Sequence, residues 1–287
     1  MDFKNGQELL NLCEEHKSKI SEIMREREVS MTEASLEEIN KRMEKALRIM
    51  QDAVHLPLKK QIKSMGGLIG GEASKLMALR NRGKSIAGTM LSKAITYAMA
   101  VLEVNASMGL IVATPTAGSS GVVPGLLLAL QEEHDLTDEE IINGLFTAGA
   151  IGYIVMRNAT VAGAEAGCQA EVGVASAMAA AAATEIMGGT PKQCMDAATT
   201  AIMNLLGLVC DPIGGLVEAP CQSRNAMGVS NALTCAEISL SGIEQFIPFD
   251  EMVEAMFNVG KKMPVELRET ALGGSAMTAS ACNRCSG

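Results

Sequence analysis

Three cysteines carry the clearest chemistry in this sequence. Cys168 stands in Gly167-Cys168-Gln169-Ala170-Glu171-Val172-Gly173, Cys210 in Gly207-Leu208-Val209-Cys210-Asp211-Pro212, and Cys221 in Glu218-Ala219-Pro220-Cys221. Each has glycine or proline close by, residues that shape loops and let a backbone approach a compact ligand. The spacing is too wide for a local zinc knuckle. Thiolates are the standard ligands of iron–sulfur clusters, and three of them would hold three irons of a four-iron cluster and leave the fourth open. An iron with an open position is a Lewis acid.

A second stretch offers polar groups for a small substrate. The apolar run after Glu103 and Asn105 ends in Thr114-Pro115-Thr116-Ala117-Gly118-Ser119-Ser120-Gly121, just before a helix expected over Val123 to Glu132. Hydroxyls and free N–H groups at a helix start suit a carboxylate, although spare hydroxyls at an N-cap are common in any helical protein. Thr114, Thr116, Gly118 and Ser119 are the residues expected to take the carboxylate, with Asn105 beside them. The paired glycines of Met65-Gly66-Gly67-Leu68-Ile69-Gly70-Gly71 permit unusual dihedrals or close backbone approach, so Gly66 and Gly67 join the substrate candidates. A plain hinge between helices explains those glycines equally well. The loop lacks the Gly-Lys-Ser/Thr ending of a phosphate-binding P-loop. Arg224 and Asn225, just after Cys221, are expected to support the site from behind.

The elements that must position these residues read as helices throughout. The chain has 287 residues, 48% hydrophobic and 20% charged, which excludes disorder and allows a substantial core. Aromatics are only 2% and methionine numbers 20, so the core packs through close helix contacts and adaptable thioethers. A helix is expected from about Gly6 to Glu28. Ser35 with Glu38 opens a second, whose pattern breaks at His55-Leu56-Pro57. Residues 1–60 thus form a charged helical hairpin packed on the main domain, and 61–287 a helical catalytic domain with a C-terminal cysteine tail. Thr137 with Glu140 caps another helix, the alanine-rich run from Val172 to Met187 continues the pattern, and Gly260 stands where a C-cap is expected. No alternating strand pattern stands out. The fold class is all-α.

Charge and leader signals narrow the partners. A net charge of −9 argues against nucleic acid and against an anionic membrane surface. No apolar leader follows Met1, and the longest apolar run is too short to span a bilayer. Eight cysteines in a chain of this size fit a reducing cytoplasm better than a disulfide scaffold. Cys13, Cys194 and Cys235 fall on helical segments and read as buried core. Cys282-Asn283-Arg284-Cys285 has CxxC spacing but lacks the βαβ context and the second pair that a redox or zinc motif needs.

At these motifs the chain resembles the α subunit of the iron–sulfur-dependent bacterial L-serine dehydratases. The matching segments are MGGLIGGEA, EVNASMGLIVATPTAGSSGVVPG, AGCQAEVG, NLLGLVCDPIGGLVEAPCQSRNA, IPFDEM and LRETALGG, spread from Met65 to Gly274. The resemblance implies an all-helical catalytic domain and a [4Fe–4S] cluster on Cys168, Cys210 and Cys221. It implies deamination of L-serine to pyruvate and ammonia without pyridoxal phosphate. It also implies a hetero-oligomer with a β subunit that carries the regulatory domains. In single-chain members a cysteine near the C-terminus can occupy the open iron, a role that falls here on Cys282 or Cys285. The base that takes the α-proton is unassigned. Of the histidines, His16 and His134 read as solvated, and His55, near the glycine loop, is the one to test.

Two other readings compete. The same elimination chemistry would serve an L-cysteine desulfidase or an L-threonine dehydratase, since one methyl group separates serine from threonine. A non-catalytic metal-binding subunit would leave the hydroxyl loop and the glycine pairs without purpose.

Overall fold

The computed structural model describes residues 1–285, with side chains to Asn283. Thirteen helices run through them: α1 Gly6–His16, α2 Ile20–Thr32, α3 Leu36–Lys59, α4 Glu72–Asn81, α5 Gly88–Ala106, α6 Val122–Glu133, α7 Asp138–Asn158, α8 Gly163–Ala166, α9 Val174–Ile186, α10 Pro191–Asn204, α11 Cys221–Leu240, α12 Phe249–Lys262 and α13 Ala279–Cys285. No β-strand occurs among the described residues. The nearest thing is one isolated parallel bridge between Cys210 and Arg268. The all-α expectation holds. No helix of the described residues is long and apolar enough to cross a membrane.

The centre is α9. Its run of alanines is the strongest helix-forming composition available, and every residue from Val174 to Glu185 is buried. Side chains this small let α6, α7, α10 and α11 crowd around it. The same logic joins α5 to α6, where a Cβ on Gly125 would sit 2.9 Å from the Ala98 backbone nitrogen. The glycine is what allows that crossing.

The N-terminal segment is three helices rather than two. Lys17, at φ 54°, closes α1 in the left-handed region, and Ser18 N–H reaches back to Cys13 O at 3.0 Å. The apolar spacing hides this break because α1 and α2 both feed the same core, through Leu9 and Cys13 on one side and Ile20, Ile23 and Met24 on the other. Ser35 caps α3 by accepting from Glu38 N–H at 3.2 Å. Pro57 does not end α3, which runs on to Lys59; near the last turn only one internal hydrogen bond is forgone. α2 packs on α7, and α3 on α5 and α7, so all three belong to one hydrophobic core with the rest.

Gly260 also departs from its expected role. It lies inside α12, whose C-cap is Met263. A Cβ at Gly260 would strike the Cβ of Ala166, so this glycine lets α12 pack directly on α8.

Candidate metal centre

Cys168, Cys210 and Cys221 are 3%, 3% and 9% exposed, and no disulfide joins them. Cys168 immediately precedes a π-helical turn, Gln169–Gly173, in which both Val172 and Gly173 N–H reach its carbonyl. Such turns recur at functional sites because the extra residue re-aims a side chain. Cys210 is locked by its own backbone, its N–H donating to Leu267 O at 2.8 Å and its carbonyl accepting from Glu269 N–H at 2.7 Å. Cys221 is the first residue of α11.

The three sulfurs share one electrostatic environment. The Cys210 thiol has two acceptors in reach, the Cys168 sulfur and Glu171 Oε2 at 3.8 Å. The hydrogen bond from Cys210 holds Cys168 below the ordinary thiol range despite its burial. The same bond, with burial, pushes Cys210 up. Burial, with Cys168 and Glu171 nearby, pushes Cys221 up to about 12. Burial works against the charge of Arg224, but Cys168, Asp211 and Cys221 around it outweigh that and raise its pKa. Arg224 Nη2 pairs with Asp211 Oδ1 at 2.7 Å and Nη1 donates to Val209 O at 2.8 Å, so it ties α11 to the Cys210 turn.

Two loops close on this centre. Thr116 Oγ1 donates to Glu171 Oε1 at 2.8 Å, which fastens the hydroxyl loop to the Cys168 turn. Asn225 Nδ2 donates to Gly118 O at 2.7 Å and to Cys221 O at 2.9 Å, while its Oδ1 accepts from Gly121 N–H at 3.0 Å. Within that loop Thr114 and Ser119 are buried and turned to its own backbone, with Ser119 Oγ 3.2 Å from Thr114 O. Thr116 and Gly118 face Glu171 instead. The glycine loop is held by Glu218, whose carboxylate accepts from Ser64 Oγ at 2.6 Å, Gly66 N–H at 2.6 Å and Leu68 N–H at 2.8 Å. Gly66 and Gly67 are exposed there, and Asn105 is half-buried at the end of α5, whose Ala106 carbonyl accepts from Met65 N–H at 2.8 Å.

The structure therefore brings together the three cysteines, the hydroxyl loop, Arg224 and Asn225. It does not bring His55 to them. His55 meets the edge of Tyr97 and lies 4.0 Å from Glu132, near the end of α6 remote from the hydroxyl loop. Eleven residues of helix from Gly121 to Glu132 amount to roughly 16 Å. His16 and His134 are exposed at helix ends. The C-terminal tail returns to the site: Asp211 Oδ2 accepts from Ser275 N–H at 2.6 Å, and α13 packs on the turn Ile213–Gly215 between Cys210 and Cys221. Cys282 Sγ is 3.7 Å from Ala276 O, and the side chain of Cys285 lies outside the described residues.

Sequence reasoning missed the carboxylates. Glu171, Cys210 and Glu269 present ligand atoms within 4.8 Å of one another, a grouping able to hold a metal ion. Burial raises the pKa of Glu171. Glu171 and Glu269 both stand inside the matching segments AGCQAEVG and LRETALGG, but nothing in their spacing distinguishes them from surface acids.

The donor set fits an iron–sulfur group. Three thiols arrive from separate turns, one of them disposed toward thiolate, with a guanidinium beside them to offset negative charge. There is also a cradle a methyl would fill, for a Cβ on Gly163 would run into the Glu171 carboxylate and lie 3.2 Å from Cys210 Sγ.

Comparison with known proteins places the chain in a family. The family described as "Serine dehydratase alpha chain" matches residues 15–276. The chain is 49% identical over 276 residues to the "Probable L-serine dehydratase, alpha chain" of Bacillus subtilis (strain 168), covering 96% of this chain and 92% of that one. It is 46% identical over 274 residues to the "L-serine dehydratase, alpha chain" of Peptoniphilus asaccharolyticus, covering 96% and 94%. Against "L-serine dehydratase TdcG" of Escherichia coli (strain K12) it is 33% identical over 286 residues, covering 96% of this chain and 62% of the relative. With a family match over most of its length and relatives at this identity, the chain belongs to the serine dehydratase alpha chain family.

Proposed function

We propose that this chain is the catalytic alpha subunit of an L-serine dehydratase, which converts L-serine to pyruvate and ammonia. The observation that carries the reading is the convergence of Cys168, Cys210 and Cys221 on a hydroxyl loop fastened to them through Thr116 and Glu171. The relatives' names supply the substrate.

In this reading Cys168, Cys210 and Cys221 hold a [4Fe–4S] cluster. When bound, that group supplies a Lewis acid for the departing hydroxyl of serine. Arg224 offsets negative charge beside the thiolates and keeps the Cys210 turn against α11. Thr116 and Gly118, the members of the hydroxyl loop nearest Glu171, receive the substrate carboxylate, while Thr114 and Ser119 hold the loop's shape. Gly66 and Gly67, fixed by Glu218, and Asn105 close the substrate side. His55 stands against Tyr97 and Glu132 rather than beside the cysteines, so this reading assigns the α-proton to no histidine. Cys282, on the returning tail, is the cysteine of that segment whose side chain is described. The name "alpha chain" among the relatives, and the longer chain of the Escherichia coli relative, support a separate beta chain that completes the enzyme.

The test is anaerobic co-purification with the beta chain, iron and sulfide analysis, and a pyruvate assay on L-serine. About four irons and four sulfides per alpha–beta unit, with pyruvate formed, are expected. A loaded cluster without pyruvate would point to L-cysteine or L-threonine as substrate. Absence of iron after anaerobic purification would remove the cysteine centre from the account.

A further inference from the structure

The N-terminal helices wall a second polar cleft, remote from the cysteines. It lies between α2, α3 and the first turns of α7 and encloses about 440 Å³. Leu47 and Ile142 form an apolar floor, and Arg25, Asn40, Glu44, Arg48, Asp138 and Glu139 stand around it. A volume of this size is within the usual range of small-molecule sites, roughly 300–1,000 Å³, and many times one water.

Two features of the lining are unusual. Among the described residues no ion pair joins Arg25 or Arg48 to Glu44, Asp138 or Glu139, although all five share the cleft. On the open surface of α3, by contrast, Lys41 pairs with Glu37 and Arg42 with Glu38. The second feature is a buried donor and a buried acceptor with no protein partner, Arg25 Nε and Asn40 Oδ1. Buried polar atoms left unpaired are rare because each carries its full desolvation cost. Arg25 is not loose: its guanidinium lies 4.6 Å over the Phe146 ring and its Nη2 donates to Asn143 Oδ1 at 2.5 Å. Asp138 is also committed, accepting from Gln131 at 2.7 Å and from Gln51 at 3.3 Å. Arg25, held by Phe146 and Asn143, and Asp138, held by two glutamines, thus face one space with Glu44, Arg48 and Glu139, and Arg25 feels the charge of Glu139 there without closing an ion pair.

We propose that this cleft binds a small α-amino acid, its carboxylate on Arg25 Nε and Arg48 and its ammonium on Asn40 Oδ1 with Glu44 and Glu139. A simple anion would meet three carboxylates there, and a simple cation two guanidiniums; a zwitterion meets each with its opposite. The site is separate from the cysteine centre. Asn40 precedes the end of α3 by 19 residues, roughly 28 Å of helix, before the glycine loop begins. The proposal does not depend on the reading of the cysteines.

The test is equilibrium dialysis of the full chain with labelled glycine and L-alanine, neither of which has a β-hydroxyl to eliminate. Acetate and ethylammonium serve as single-charge competitors. Saturable binding is expected that neither competitor displaces at equal concentration. It should weaken roughly tenfold or more in Asn40→Leu and in Arg48→Ala, the loss of a charged or buried hydrogen bond, and persist in Cys210→Ala. Arg48 is exposed, so its variant is expected to fold as the parent does. No saturable binding below about 1 mM, or equal displacement by acetate, would overturn the proposal. So would binding lost in Cys210→Ala but kept in Arg48→Ala, which would place it at the cysteines.

Discussion

Thr116 donates its hydroxyl to Glu171 at 2.8 Å, and the same carboxylate lies 3.8 Å from the Cys210 sulfur through its other oxygen. One side chain therefore spans the hydroxyl loop and the cysteine centre. Thr116→Val keeps the shape and removes only the donor. A loss of about 1–2 kcal/mol in stability is expected. In steady-state assays KM should rise more than kcat falls, with iron content unchanged and Thr116→Ser restoring the parent values.

The cysteines should divide into two groups on substitution. Cys210→Ala or Cys221→Ala is expected to lose both bound iron and serine turnover. Cys194, fully buried in α10, and Cys235, 3.5 Å from the Asn204 amide and 3.6 Å from Asn231 Oδ1, are structural. Their alanine variants should keep iron and activity and lose only about 1–3 kcal/mol of stability. Iron per chain after anaerobic purification decides this; full iron in Cys210→Ala would sink the assignment.

Gly163→Ala tests the room beside the sulfurs. Its new methyl would meet the Glu171 carboxylate and lie 3.2 Å from Cys210 Sγ. Overpacking of this kind costs about 1–3 kcal/mol. Iron occupancy is expected to fall by more than the modest drop in melting temperature suggests. Parent-level iron and turnover in this variant would mean that the cradle has space to spare.

Glu103 predicts a pH dependence. It is 1% exposed, and its Oε1 accepts from Ala73 N–H at 2.9 Å and from Gln222 at 3.3 Å. Burial raises its pKa above the ordinary 4.5. The unfolded chain gives up this proton near 4.5 while the folded chain keeps it to higher pH. Between the two values the folded state binds more protons, so stability falls as pH rises through that window. Each unit of separation is worth about 1.4 kcal/mol. Glu103→Gln has no proton to lose, so its melting temperature should gain on the parent as pH climbs from about 4.5. Parallel melting curves for the two proteins would exclude the effect.

Most of the helical framework was legible because it rests on local signals. The Thr137–Glu140 box forms with reciprocal bonds, and apolar spacing located α3, α7 and α12. Three kinds of feature were not legible. The break at Lys17 has no glycine to mark it. Gly260 looked like a helix end, but its use is a contact with Ala166, 94 positions earlier in the chain. The roles of Glu171, Glu218 and Asp211 depend on what each carboxylate meets: Thr116, Gly66 and Ser275 respectively, all distant in sequence. For the site, cysteines with loop-forming neighbours were informative. Proximity of His55 to the glycine loop in sequence was not, because α3 carries it against Tyr97 and Glu132.

The placement of the three cysteines also sets an order of events in biogenesis. Cys168 and Cys221 are 53 positions apart, and the whole of α9 and α10 lies between them. Their sulfurs can meet only after α11 has docked against α9, a non-local step that comes late in chain collapse. The Cys210 turn is then set by backbone bonds to Leu267 and Glu269, 57 and 59 positions further along the chain. Until residues 267–269 have been made and have packed against it, the chain has no assembled ligand set to offer. On the reading that these thiols hold a metal, whatever delivers it must meet a chain that has largely folded.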